Sequence, residues 1–167
     1  MAFTFLPEYR FDTFDLVTVD FLKSLGIKGL ILDIDNTLEP YENDEPGEHV
    51  ICWLEDLKRA DIKTAIVSNN NRERVERFNE NIGMPAYYKS GKPFKKNIEA
   101  AMRVIGTGVE NTALIGDQVF TDVWAAHNAG IKAILVPPIK DKTDIFTKFK
   151  RLLERPILKK YERKHGK

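Results

Sequence analysis

The sequence predicts an α/β fold, a three-layer α/β/α sandwich around a mainly parallel, five-stranded, Rossmann-like sheet. Three observations predict it. Five short apolar runs of strand length recur along the 167 residues. Segments with apolar residues at helical spacing separate them. The runs are continuously apolar rather than alternating, as befits strands buried on both faces of a parallel sheet. Strands alternating with helices of this length require right-handed crossovers, which place helices on both sides.

The elements follow in order. Phe14, Val17, Phe21, Leu22 and Leu25 recur at helical spacing, and Gly26 is a helix stop. "KGLILDID" (28–35) is the first strand. Val50, Ile51, Leu54 and Leu57 mark a helix over 48–59, followed by the strand "IKTAIVSN" (62–69). Val75 and Phe78 mark a helix over 72–81, and "PAYYK" (85–89) is a weaker third strand. Phe94, Ile98, Met102 and Ile105 mark a helix over 93–105, with Pro93 suited to its first position and Lys92 at its N-terminus. "TALIGD" (112–117) is the fourth strand, 122–129 a short helix closed by Gly130, and "IKAILVP" (131–137) the fifth strand. Phe146, Phe149, Leu152 and Leu153 then mark a terminal helix that Pro156 should break.

The length suits one domain. Its core spans about 28–137, between an N-terminal helical segment (1–26) and a basic C-terminal tail (140–167). No stretch approaches the roughly 20 apolar residues of a membrane span. "MAFTFLPEYRFD" lacks the pattern of a secretion signal. Cys52 is the single cysteine, so neither an internal disulfide nor a thiolate metal cluster can form. A cytoplasmic setting is expected. Net charge is +1, but residues 140–167 carry +7 and residues 1–139 carry −6. The tail reads as a docked helix with a solvated basic end, or as a peripheral contact with anionic membrane, at the inner face. Nucleic acid is not expected as a partner, since no binding motif accompanies the charge.

In such folds ligands sit beyond the carboxyl ends of the strands, where strand order reverses. The first strand ends in Asp33 and Asp35, the second in Ser68, Asn69 and Asn70, the fourth in Gly116 and Asp117, with Asp122 close behind. "SGKPFKKN" (90–97) brings Lys92 to the same edge. Asp33 and Asp35 share a face if the chain stays extended; a turn at residue 34 would present a backbone carbonyl instead. Like charges about 4 Å apart repel by about 4 kcal/mol at an effective dielectric near 20, and a hard divalent cation removes that cost. Mg2+ suits carboxylates, water and phosphate. The lack of thiolates and the scattering of His49, His127 and His165 argue against zinc. Carboxylates, one lysine and a Ser/Asn turn form a kit for phosphoryl transfer: one acid attacks phosphorus, and a second handles the proton.

"DIDNT" (33–37), "SNN" (68–70), "GKP" (91–93) and "GDQVFTD" (116–122), in that order, resemble the four motifs of the haloacid dehalogenase superfamily of phosphohydrolases. The resemblance implies Asp33 as nucleophile, Asp35 as general acid/base, Ser68 with Asn69 as phosphate binders, and Lys92 steadying nucleophile and phosphoryl group. It implies Mg2+ held by Asp33, Asp117 and the Asp35 carbonyl, with Asp122 as a supporting acid. Lys89 and Lys95 compete with Lys92 for its role. Only about 25 residues separate Thr37 from the second strand, too few for a large cap domain. The chain looks like the capless subclass IIIA, YqeG type, similar to the mitochondrial phosphatidylglycerophosphate phosphatases. An Mg-dependent phosphatase working through an aspartyl-phosphate is therefore expected, with a phosphorylated small molecule or a phospholipid headgroup as substrate. A receiver-like phospho-acceptor domain is the first alternative, which Asp35 argues against, and a non-catalytic membrane-binding module the second. Plainer readings exist: Ser68, Asn69 and Asp122 could cap helices, and Cys52, Trp53, Phe120 and Trp124 could serve packing.

Overall fold

The computed structural model describes residues 4–140 and 145–166. The expected tail and N-terminal segment thus lie partly outside the described residues. Among the described residues six strands form one all-parallel sheet: β1 (Tyr9–Arg10), β2 (Gly29–Leu32), β3 (Lys63–Val67), β4 (Ala86–Tyr87), β5 (Thr112–Gly116) and β6 (Lys132–Leu135), in the order β1-β6-β5-β2-β3-β4. The five expected strands are all present. The sixth, β1, pairs Tyr9 with Ile134 and Arg10 with Leu135 at the edge. Two residues carry no periodicity, so only tertiary pairing makes them a strand.

The central strands bury both faces. Leu30 and Leu32 face one cluster with Val50, Trp53, Leu57, Val75 and Phe78 of α2 (Glu48–Arg59) and α3 (Arg72–Asn79). Ile31 faces the other, with Ile98, Ala101, Ala125 and Ala126 of α4 (Lys96–Ile105) and α5 (Trp124–Ala129). Each such aliphatic side chain contributes about 1.5–3 kcal/mol through burial. The layers are therefore those the apolar runs predict.

Four details differ from expectation. The 14–25 segment is not one helix: a 3-10 turn (Phe14–Leu16) precedes α1 (Val19–Ser24), because Thr18 accepts the Phe21 N–H and starts a new helix. α4 begins at Lys96, so Pro93 is not its first residue. The Lys92–Pro93 peptide is cis, the Phe94 N–H closes a turn on the Gly91 carbonyl, and Phe94 is exposed rather than packed. A π-type turn (Val119–Val123) precedes α5. Pro156 does not break the terminal helix, α6 (Ile145–His165). Contacts on both sides hold it: Glu154 accepts the Val119 N–H before the proline, and Ile157, Leu158 and Glu162 touch the body after it. Those contacts offset the roughly 3 kcal/mol a helical proline costs. Trp53 packs as expected, donating Nε1–H to the Val17 carbonyl, whereas Cys52 on the same helix is exposed.

β2 is the switch point. The chain runs outward from β2 to β3 and β4, then returns to β5 on the other side. Leu32 pairs with Ile115, so the residues leaving β2 and β5 emerge side by side.

Candidate active site

Asp33 is the first residue past β2, and its N–H still donates to the Ile115 carbonyl. The chain then turns. The N–H groups of Thr37, Leu38 and Glu39 all point at the Ile34 carbonyl, and Asn36 takes the left-handed φ of 62° that asparagine tolerates. The two aspartates consequently part company. Asp33 Oδ1 accepts from Lys92 Nζ at 2.9 Å, while Asp35 accepts from Arg74 Nε at 2.9 Å and Asn70 Nδ2 at 2.8 Å. Of the two geometries open at residue 34, the turned one is realised.

Lys92 is buried and shared. Its Nζ also donates to Asp122 Oδ1 at 2.6 Å. Asn69 fixes the backbone at Lys92: its Oδ1 accepts the Lys92 N–H and its Nδ2 donates to the Lys92 carbonyl. Ser68 is buried, with Oγ accepting the Asn70 N–H, and Asn71 rather than Ser68 or Asn69 caps α3. Lys95 is engaged elsewhere, with Glu99 on the surface.

Asp33, Asp117 and Asp122 are all buried, and one oxygen of each lies within 4.8 Å of the others. Thr37 Oγ1 lies 3.2 Å from Asp33 Oδ2 and 3.1 Å from Asp117 Oδ1. A hydroxyl has one proton to donate, so one of these carboxylates faces a lone pair unless a proton or a cation intervenes. Burial pushes the Asp33 carboxyl up despite Lys92. Burial, then Asp122 and Asp33, push Asp117 up to about 8 against the pull of Arg151. Lys92 is held above the ordinary lysine range, because two carboxylates outweigh its burial. One lysine shared by two acids leaves each acid half-compensated. A divalent cation fits this donor set. All three acids have both oxygens in contact with donors: Asp33 with Lys92 and Thr37, Asp117 with Thr37 and Arg151, and Asp122 with Lys92 and the Gln118 N–H.

Residues 15–136 match the haloacid dehalogenase-like hydrolase family. The chain belongs to that family. It is 38% identical over 160 residues to the probable phosphatase YqeG of Bacillus subtilis, covering 96% of this chain and 93% of the relative. The cobalt-bound deoxy-D-mannose-octulosonate 8-phosphate phosphatase of Haemophilus influenzae shares the fold, with a TM-score of 0.55 and 22% identity, covering 83% of this chain and 91% of that one. CbbY from Rhodobacter sphaeroides, solved with phosphate, also shares it (TM-score 0.52, 14% identity, 72% and 90% covered).

Four members of this haloacid dehalogenase-like site escaped the sequence reading. Thr37 closes the DIDNT segment, and nothing in that pattern marks its hydroxyl as a bridge. Arg74 is a buried helical arginine reaching Asp35. Arg151 and Glu154 come from α6: Arg151 Nη2 donates to Asp117 Oδ2 at 2.6 Å and Nη1 to the Asp117 carbonyl at 2.8 Å. At three residues apart on a basic helix, Arg151 and Glu154 read as an ordinary surface pair.

Gly116 explains how tightly the acids pack. A methyl group there would overlap the Asp122 carboxyl. Gly116→Ala is expected to push Asp122 off Lys92 and cost about 1–3 kcal/mol. A lowered melting temperature with reduced phosphate release is the expected readout; an unchanged protein would mean Asp122 has room to move.

Proposed function

We propose that this haloacid dehalogenase-family phosphatase hydrolyses a phosphomonoester through an aspartyl-phosphate on Asp33, with Mg2+ at the acid cluster. The observation that carries the reading is the separation of the two aspartates. Asp33 lies among Lys92, Thr37, Asp117 and Asp122, and Asp35 is held apart by Arg74 and Asn70. The lysine that would balance phosphoryl charge stands beside Asp33, and Asp35 lies outside the acid cluster.

An Asp33 oxygen attacks phosphorus, the ester P–O bond breaks, and Asp35 gives its proton to the leaving oxygen. Asp35 then takes a proton from water, which displaces Asp33 from phosphorus. Lys92 neutralises the phosphoryl oxygens, and Ser68 with Asn69 lines the phosphate position. Mg2+, held by Asp33, Asp117 and the Asp35 carbonyl, with Asp122 supporting, would supply charge neutralisation.

The substrate we favour is a phospholipid headgroup, phosphatidylglycerophosphate. Only an eight-residue loop (40–47) separates the β2 turn from α2, too short to carry a cap domain over the site. Support for peripheral contact with anionic lipid comes from α6. Ile145, Phe146, Phe149, Leu152 and Leu153 lie exposed along it, and Lys148, Lys150, Arg155, Lys159 and Lys160 accompany them. Basic residues near an anionic surface add about 1 kcal/mol each, and an apolar helical stripe adds burial in the headgroup layer. No helix among the described residues is long and apolar enough to cross a membrane.

The test is phosphate release from phosphatidylglycerophosphate vesicles, soluble sugar phosphates, nucleotides and p-nitrophenyl phosphate. Release should stop with a chelator and return with Mg2+, and the lipid should be the fastest substrate. Equal or slower lipid turnover defeats the lipid assignment. Phosphorylation of Asp33 without turnover of any substrate would replace the enzyme by a phospho-acceptor domain. Vesicle binding without any hydrolysis would leave a binding module.

A further inference from the structure

We infer that Arg151 is a positioning residue for the metal site, delivered from the C-terminal helix α6 and locked there by Glu154. The inference rests on the Mg2+ reading of the acid cluster. Asp117 has two carboxylate oxygens with separate tasks. Oδ1 faces the Thr37 hydroxyl, which also faces Asp33, and Oδ2 is taken by Arg151 Nη2. The same guanidinium spans to the Asp117 carbonyl through Nη1. A planar fork holding both the carboxylate and the backbone of one residue fixes its side-chain torsions. Oδ1 is then the oxygen left toward Asp33, in the acid cluster that would hold a cation.

Glu154 completes the clamp. Its Oε2 accepts from Arg151 Nη1 at 3.0 Å and its Oε1 accepts the Val119 N–H at 2.9 Å. α6 therefore grips the turn after β5 at residues 117 and 119, just before Asp122. Glu154 is buried, and Arg151 is about one-fifth exposed. Arg151 Nε is buried with no hydrogen-bond partner. The placement of Arg151 answers to Asp117.

Partners that orient a metal's ligands typically govern affinity by 10–100-fold. The experiment is calorimetric titration of the full-length chain with Mg2+ in the absence of substrate, alongside its melting temperature. Arg151→Ala should bind Mg2+ about 10–100-fold more weakly than the unaltered chain. Arg151→Lys should recover part of the loss, since an ammonium supplies the charge without the fork. Arg163→Ser, exposed on the same helix and away from this clamp, should bind as the unaltered chain does. If Arg151→Ala does not fold, Glu154→Gln reads the same clamp and should weaken binding to a smaller degree. Equal or tighter binding by Arg151→Ala, or by Glu154→Gln in its place, overturns the inference and makes the arginine a bystander or a competitor for Asp117. Equal loss in Arg151→Lys and Arg163→Ser also overturns it, because the helix alone would then matter. No binding by the unaltered chain removes the metal reading, and this inference with it.

Discussion

Asp33→Asn is expected to remove turnover, by roughly four orders of magnitude or more, the scale on which loss of an attacking group costs covalent enzymes. The amide keeps the shape of the side chain but cannot attack phosphorus. Folding should survive. Burial pushes the Asp33 carboxyl above its ordinary range, so the folded state favours its neutral form. The stability linked to that proton is present at low pH and is lost as pH rises past the ordinary aspartate range. At neutral pH the charged form is a burden that asparagine does not carry. The variant should therefore melt at or above the temperature of the unaltered chain while releasing no phosphate. Asp35→Asn should cost less, about 10²–10⁴-fold, as expected for a proton-transfer group. Normal rates in the Asp33 variant would remove the nucleophile from the scheme.

Lys92→Met is expected to damage both fold and chemistry. The side chain is 2% exposed and bonds two buried carboxylates. Breaking a buried pair by removing one partner costs about 3–5 kcal/mol, because the remaining charge stays uncompensated. Here two acids are left, with Asp117 beside them. Lys92 titrates above the ordinary lysine range, so its stabilisation is complete below that range and is lost only as pH rises through its own raised value. The loss in Lys92→Met should thus be visible across the neutral range. Denaturant melts would measure it, and phosphate release would report the missing cation at the phosphoryl group. A variant that melts normally would show that Asp33 and Asp122 do not depend on Lys92.

The contrast between the two variants separates chemistry from stability. Asp33, the proposed nucleophile, carries its charge at a cost to the fold. Lys92 offsets part of that cost through its bonds to Asp33 and Asp122. Sites of this kind break the local rules that the rest of the chain obeys.

The apolar runs at 29–32, 63–67, 112–116 and 132–135 were plain because a buried parallel strand must be apolar throughout. β1 was not, since two residues show no period. The break between the 3-10 turn and α1 hid beneath a spacing that suits either arrangement. Pro156 misled for a different reason. The local penalty is real, but contacts from Glu154 to Glu162 outweigh it, and those contacts are set by distant partners.

By itself the sequence determined that acids, a lysine and a Ser/Asn turn close the strands of one parallel sheet. Register along a strand and the switch at β2 bring Asp33 and Asp117 together across 84 residues of chain. Only the tertiary structure decided which way Asp35 turns, that Thr37 bridges two carboxylates, and that Arg151 arrives from the terminal helix. The reason is physical. Strand ends inherit their place from hydrogen-bonded ladders with a fixed period, whereas a turn's side chain and a docked helix answer to packing with partners far along the chain, which no local pattern encodes.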